Sequence, residues 1–173
     1  MPVEILRLGH RISRDPRLST HLALTARAFL ASKLYYSGQH DSSLENSINK
    51  VTSQFGSNFT ITYIPNPIKL IQEKKKENYK IIHLTMYGAS LNINKIKKHK
   101  NLLIIVGGEK VPPEIYNLAD YNISITLQPI SEVSALAIFL HEYFQKAELI
   151  NDFKNAKIRI VPQEKGKKVM KVI

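Results

Sequence analysis

The 173-residue sequence contains no cysteine. Disulfide frameworks and Cys-ligated zinc, iron–sulfur and haem sites are therefore excluded. No apolar run approaches the roughly 20 residues needed to cross a bilayer, and the amino end lacks the charged-then-apolar pattern of a signal peptide. We therefore expect a soluble, cytoplasmic protein that does not act at a membrane.

The common nucleotide and catalytic motifs are also missing. The segment Gly107-Gly108-Glu109-Lys110 is not the eight-residue phosphate loop, and no predicted strand is followed by Gly-x-Gly-x-x-Gly. The six histidines are dispersed without metal-ligand spacing, so we expect no bound metal. The lack of cysteine and of a Gly-x-Ser-x-Gly elbow argues against nucleophilic catalysis.

Acidic residues are scarce. The chain has 14 Asp and Glu against 25 Lys and Arg, a formal charge of +11, which favours a polyanionic partner, with nucleic acid ahead of a membrane surface. Five of the six arginines lie within the first 27 residues, and the guanidinium fork suits phosphate. The lysine runs at 74–76, 95–100 and 165–171 are interpreted as solvated faces.

Apolar strand patterns alternate with helical patterns along the chain. Strands are predicted at 3–8, 33–38, 59–64, 79–84, 102–106 and 121–126, and helices at 19–31, 42–55, 68–77, 91–99, just after 112–113, and 131–147. Ser42 and Glu45 have the spacing of a capping box at the start of the second helix. This alternation predicts an α/β fold with a mostly parallel sheet and helices on both faces.

We expect one domain over residues 1–173, with 151–173 as a carboxy-terminal extension. Two short strand candidates flank Gly166 in this extension, which fits a hairpin, an exchanged arm or a partly ordered tail.

Ligands in open α/β sheets bind beyond the carboxyl ends of the strands. Three loops at such positions stand out, namely 9–17, 105–114 and 127–140. Gly107 and Gly108 end a strand, where they would allow a ligand to approach the backbone closely or simply form a tight turn.

These loops carry a family resemblance. In their order and spacing, LRLGHRISRDPRLSTHLALTARAF, VGGEKVPPEIYNLADYNISI and QPISEVSALAIFL resemble the archaeal tRNA ribose 2′-O-methyltransferases of the SPOUT class that modify cytidine 56 in the TΨC loop. The resemblance implies a SPOUT-type α/β fold with a carboxy-terminal deep trefoil knot, a rare exception to the rule that chains avoid knots. It also implies S-adenosyl-L-methionine as cofactor, tRNA as substrate and a homodimer that completes the active sites.

The resemblance also implies a set of cofactor-binding residues in three loops. They are Leu84, Thr85, Met86 and Gly88; Gly107, Gly108, Glu109, Lys110 and Val111; and Leu127, Gln128, Pro129, Ile130, Ser131, Glu132, Val133 and Ser134. The chain departs from the family in the third loop, where relatives typically carry Asn and His at the positions of Leu127 and Ile130. We therefore place no catalytic proton transfer on that loop.

Arg27 is the catalytic residue that the resemblance implies, because it follows His21 by six positions. We expect it to polarise the 2′-hydroxyl through the adjacent phosphate, with an ion pair to Asp15 or to a partner carboxylate as the structural alternative. The residues expected to bind tRNA are Arg7, His10, Arg11, Arg14 and Arg17.

Two other functions are left open. A catalytically silent SPOUT-fold RNA-binding protein would account for the altered loop at 127–130. A Rossmann-like enzyme acting on a small acidic metabolite would leave the amino-terminal cluster of arginines unexplained.

Overall fold

The protein is a six-stranded parallel sheet covered by helices on both faces, as seen in a computed structural model that describes residues 2–14, 17–108 and 110–172. The strands lie in the order β3-β2-β1-β5-β4-β6. Their bounds are β1 Val3–His10, β2 Lys33–Gly38, β3 Thr60–Tyr63, β4 Lys80–Ser90, β5 Leu102–Val106 and β6 Tyr121–Ser124. The predicted α/β fold with a mostly parallel sheet is confirmed.

Among the described residues, five α-helices connect the strands of this sheet and a sixth follows β6. They are α1 Leu18–Ala28, α2 Ser42–Phe55, α3 Pro67–Lys76, α4 Ile93–Ile96, α5 Pro113–Leu118 and α6 Glu132–Phe144, and a 3-10 turn follows at Ala147–Ile150. Helix α6 is shorter than the predicted 131–147 because Gln145 and Lys146 take left-handed conformations (φ 55° and 67°) that end it. None of the described helices combines the length and apolar character that crossing a bilayer demands.

The sheet separates two apolar clusters. Ile5 of β1 packs with residues of α1, α2 and α6, whereas its neighbour Leu6 packs with residues of α3 and α5. Every residue of β5 is buried, as expected for a central parallel strand with both faces covered. The threading of the chain as a trefoil knot stays a prediction.

The start of α2 corrects the predicted capping box. Asp41, not Ser42, is the cap, because its carboxylate accepts a hydrogen bond of 3.0 Å from the Leu44 amide. Glu45 instead accepts a hydrogen bond of 2.9 Å from the Tyr36 hydroxyl. The helix begins where the sequence predicts, but through a different side chain.

The first lysine run is also only partly a solvated face. Lys74 is buried and lies 3.0 Å from Glu4 and 2.9 Å from Glu77. Burial opposes the charge on Lys74, but these bonds outweigh it and raise the Lys74 pKa. Lys74 therefore links α3 to the amino end of β1. The loops singled out from the sequence lie at the other, carboxyl ends of the strands.

Two short strands form a hairpin within residues 151–173, and the single domain with these residues as its extension stays a prediction. Strand β7 (Ile158–Val161) pairs antiparallel with β8 (Lys168–Lys171), and the two form a sheet of their own. The Lys157 amide donates to the Gln54 carbonyl at 2.9 Å, which joins the base of the hairpin to the end of α2.

Candidate active site

The carboxyl ends of β4, β5 and β6 surround a cavity of about 430 Å³, here called the β4–β6 cavity. Its volume lies in the range of small-molecule sites. The lining residues are His83, Leu84, Thr85, Met86, Tyr87, Gly107, Gly108, Val111, Tyr116, Ile123, Ile125, Thr126, Pro129, Ile130, Glu132 and Ala135. The loops at 105–114 and 127–140 thus meet around one space with residues 83–87, whereas the loop at 9–17 does not line it.

Not every predicted cofactor residue lines this cavity. Those that do are Leu84, Thr85, Met86, Gly107, Gly108, Val111, Pro129, Ile130 and Glu132. The lining does not include Gly88, Lys110, Leu127, Gln128, Ser131, Val133 or Ser134, and Glu109 is outside the described residues. Gly88 packs on the Ile123 backbone, where a side chain would collide, and Ser131 caps α6 by accepting from the Val133 amide at 3.2 Å.

The two replaced loop positions do not block the cavity. Leu127 is 66% exposed and outside the lining, and Ile130 lines the cavity while 45% of it stays exposed. The space between β4 and β6 therefore coexists with both apolar side chains.

Gly107 is required by the fold of its own loop. A Cβ atom at this position would overlap the Val111 side chain, so the loop closes tightly onto β5 only with glycine there. A Cβ at Gly108, by contrast, would meet no atom within 4 Å. Gly107 serves the tight turn, and Gly108 leaves open space at the edge of the cavity.

A polar network that sequence reasoning missed lies at the wall of the cavity. The Nδ1 atom of His83 lies 2.8 Å from the Asn122 side-chain oxygen, and the Asn122 amide donates to the Tyr116 carbonyl at 2.9 Å. Tyr116 also bonds through its hydroxyl to Thr85 at 3.2 Å. The sequence contains one signal that could have indicated this network, namely a histidine, His83, within an otherwise apolar strand.

His83 is held neutral in this network. Burial lowers its pKa, and the hydrogen bond to Asn122 opposes this only partly. Because the Asn122 oxygen accepts, Nδ1 carries the proton and Nε2 is an acceptor. Nε2 is buried and has no hydrogen-bond partner among the described residues.

A second cavity of about 620 Å³ lies between the end of β1 and α3, and we call it the β1–α3 cavity. Gly108 lines both cavities, so the two are adjacent. The lining residues of the second are Leu8, Gly9, His10, Arg11, Arg14, Ser37, Gly38, Gln39, Pro67, Ile68, Gly108, Lys110, Pro112, Glu114 and Ile115. Arg11 and Arg14, predicted to bind tRNA, are thus placed beside the first cavity.

Arg7 differs from its predicted role. Its side chain is 1% exposed and lies 3.2 Å from the Glu132 carboxylate at the start of α6. A buried guanidinium in this position cannot meet a tRNA phosphate without leaving its pair. Arg7 therefore joins the centre of the sheet to the third loop of the β4–β6 cavity.

His10 is likewise buried, although it was predicted to bind tRNA. Its Nδ1 lies 2.7 Å from the Ser19 hydroxyl, and its Nε2 lies 3.2 Å from the Asp41 carboxylate. This order of groups is that of a Ser-His-Asp triad, but Ser19 is fully buried and no substrate can reach it. The three residues instead join β1, α1 and α2. Arg17 is exposed and precedes α1.

The comparisons with known proteins agree with this geometry. The profile of the family described as tRNA ribose 2′-O-methyltransferase, aTrm56, matches residues 55–170. A tRNA (cytidine(56)-2′-O)-methyltransferase of Methanocaldococcus jannaschii is 50% identical over 176 residues, covering 99% of this chain and 97% of that protein. An enzyme of the same name from Thermococcus kodakarensis is 45% identical, covering 98% and 97%. This chain belongs to the aTrm56 family.

Solved structures show the same fold at lower identity. The TrmH/SpoU tRNA modifying enzyme of A. aeolicus matches with a TM-score of 0.63 at 21% identity, covering 85% of this chain and 76% of that one. The SpoU methyltransferase AviRb from Streptomyces viridochromogenes, in complex with AdoMet, matches with a TM-score of 0.62 at 14% identity, covering 83% and 57%. These matches place the aTrm56 chain in the SPOUT fold.

Arg27 lies away from both cavities of this aTrm56 chain. Helix α1 returns along the sheet, and shortly after it the Ser32 amide donates to the Val3 carbonyl at 2.8 Å, at the start of β1. Arg27 is 7% exposed, donates to the Gly56 carbonyl and lies 4.8 Å from the centre of the Phe153 ring. Within one chain, Arg27 is therefore not brought to the β4–β6 cavity.

The Asp41 carboxylate is hydrogen-bonded to the Leu44 amide at the start of α2 and to the His10 ring. Asp41→Ala should therefore lower the free energy of unfolding by about 1–2 kcal/mol. Burial acts to raise the Asp41 pKa, but the Leu44 amide and His10 outweigh it and lower the pKa below its usual 3.8. Its contribution is then complete above pH 3.8 and is lost as the pH falls through the lowered value. Urea unfolding should show a difference between wild type and variant that is larger at pH 7 than at an acidic pH well below 3.8. An equal difference at both pH values would contradict this assignment.

Arg27→Ala should act on stability, with a loss of about 2 kcal/mol, because it removes the bond to Gly56 and the contact with Phe153. Phe153→Leu is the matched variant, since it removes the same contact from the other side. Thermal unfolding and the methylation rate per folded molecule are measured together. Loss of methylation in Arg27→Ala at unchanged stability and cofactor affinity would instead support the catalytic role predicted for Arg27.

Proposed function

We propose that this protein transfers a methyl group from S-adenosyl-L-methionine to the ribose 2′-hydroxyl of cytidine 56 in the TΨC loop of tRNA. The observation that carries the proposal is 50% identity, over 99% of the chain, to a relative named for this reaction. The catalytically silent alternative is not supported, since named methyltransferases match at full length and the β4–β6 cavity is open. The same family membership argues against a Rossmann-like enzyme that acts on a small acidic metabolite.

The β4–β6 cavity fits the cofactor by its chemistry. Leu84, Val111 and Ile130 supply apolar walls, and the turn at Gly107 exposes backbone to the space. The hydroxyl groups of Thr85 and Tyr116 lie 3.2 Å apart in two lining residues and add polar atoms to these apolar walls. When bound, S-adenosyl-L-methionine supplies an activated methyl group on its sulfonium.

The protein's own contribution is to hold the reacting groups in line. The Arg7–Glu132 pair fixes the start of α6, and Ser131 caps the same helix, so the wall at 129–132 is held rigidly. Arg11 and Arg14 line the neighbouring cavity, where they are placed to bind the phosphates on either side of the ribose. Positioning of this kind lowers the barrier by holding the hydroxyl next to the methyl group.

A homodimer is part of the proposal. Exposed apolar side chains lie on α6 and just after it, where Ile138, Leu149 and Ile150 are open to solvent in the single chain. A second copy of this chain would cover them and bring a further set of basic loops to the tRNA. The cytoplasm, where tRNA is available, is the compartment we propose.

Filling the cavity tests the cofactor assignment. Ile130→Trp should weaken S-adenosyl-L-methionine binding about tenfold or more, because a displaced contact worth about 1.4 kcal/mol suffices for that change. Leu127→Trp is the matched control, since Leu127 is exposed and outside the lining. Calorimetry measures the affinity, and mass mapping of a tRNA transcript measures methylation at position 56. A wild-type protein that binds the cofactor but leaves cytidine 56 unmodified would refute the proposed reaction.

Arg14→Ala should weaken tRNA binding and flatten its salt dependence. Loss of one phosphate contact lowers the slope of log affinity against log salt by about 0.7–0.9. Lys154→Ala, an exposed residue near the hairpin, serves as control. Filter binding over a salt series measures the slope, and equal slopes for wild type and Arg14→Ala would remove Arg14 from the tRNA surface.

A further inference from the structure

The β1–α3 cavity begins where the β4–β6 cavity ends. Gly108 lines both spaces. In a nucleotide the 2′-oxygen and the base are carried by neighbouring carbons of the ribose. A ribose whose 2′-hydroxyl points into the β4–β6 cavity therefore holds its own base beside that cavity.

We propose that the β1–α3 cavity binds the base of the target nucleotide, and that Lys110 and Glu114 recognise it as cytosine. The proposal rests on the proposed function, because it needs the ribose to be presented at Gly108. It adds a base-recognition site to a reaction that otherwise concerns only the sugar.

The walls of the cavity suit the faces of a base. Leu8 is buried at the end of β1, Ile115 is buried on α5, and Ile68 comes from α3. Bases that RNA-binding proteins read are splayed out of the stack and packed between such surfaces. Arg11 and Arg14 lie on the same cavity, where guanidinium groups meet the sugar–phosphate chain that enters with the base.

The polar groups of the cavity match the pairing edge of cytosine. Among the described lining residues, Lys110 is the only ammonium and Glu114 the only carboxylate. Lys110 donates to the ring nitrogen and the carbonyl oxygen of cytosine, and Glu114 accepts from its amino group. Uracil presents a carbonyl oxygen where cytosine has the amine, so the Glu114 carboxylate would repel it.

Glu114 has another possible reason to occupy its position, since it lies in the first turn of α5. A carboxylate there is favourable whatever the function. That reason does not require Glu114 to line the same cavity as Lys110, next to the space where a ribose would be presented. The combination of the two charges with apolar walls is what points to a base.

The test is a double-mutant cycle in which one change is made in the protein and the other in the tRNA transcript. Wild type and Glu114→Ala are compared on tRNA transcripts that carry either cytosine or 2-pyrimidinone, which lacks only the amino group, at position 56. Removal of the amine should reduce kcat/KM of wild type about 10- to 100-fold, as for a hydrogen bond to a charged group, and that of Glu114→Ala less than about threefold. Glu114→Gln keeps an acceptor without charge and should fall between the two.

The controls separate this proposal from the proposed function. Glu73→Ala removes an exposed carboxylate on α3 outside the cavity and should behave as wild type. S-adenosyl-L-methionine affinity should be unchanged in Glu114→Ala, and a loss would place Glu114 at the cofactor and overturn the proposal. Equal losses on amine removal in wild type and Glu114→Ala would also overturn it.

Binding of the same transcripts is measured without cofactor. Discrimination between the two bases that depends on Glu114, in a protein that does not methylate position 56, would uphold the base site and refute the reaction. Methylation at position 56 without such discrimination would uphold the reaction and refute the base site.

Discussion

The pairing of β5 between β1 and β4 is the constraint on which the site depends. Val106, the last residue of β5, is paired with Arg7 on one side and Leu84 on the other. Because all three strands are parallel, the residues that follow these pairs lie at the same edge of the sheet and stay close to one another. The close turn at Gly107, the wall at Leu84 and the buried guanidinium of Arg7 are consequences of this one register.

Periodicity was a good guide to the elements and a poor guide to their ends. Strand β2 has the predicted bounds, because Lys33 and Gly38 mark a short apolar run between polar segments. Strand β4 was predicted to end at Leu84 but continues to Ser90. After Leu84 its pairing with β6 shifts, so that Ala89 lies opposite Ile123. The close packing of Gly88 on the β6 backbone permits this shift, and such a long-range contact leaves no local pattern.

The family resemblance located the loops but not the orientation of each side chain. Arg7 and His10 stand in a basic segment and were predicted to face tRNA, whereas the structure buries both. A polar or charged side chain buried on a strand that is covered on both faces must find a partner, and the partners of Arg7 and His10, Glu132 and Asp41, are distant in sequence. His83, Tyr116 and Asn122 were missed for the same reason, because only the fold brings their polar groups together.

The Arg7–Glu132 pair also determines which residues near the start of α6 can be replaced without moving the backbone. Separating the pair would leave a charge stranded in the sheet interior, so the start of α6 tolerates little movement. Leu127 and Ile130, just before α6, have no part in this pair; Leu127 is mostly exposed, and Ile130 lines the cavity with part of its surface open to solvent. An apolar substitution at either position leaves the anchor intact. A buried salt bridge thus holds the backbone path of this loop independently of the side chains at 127 and 130.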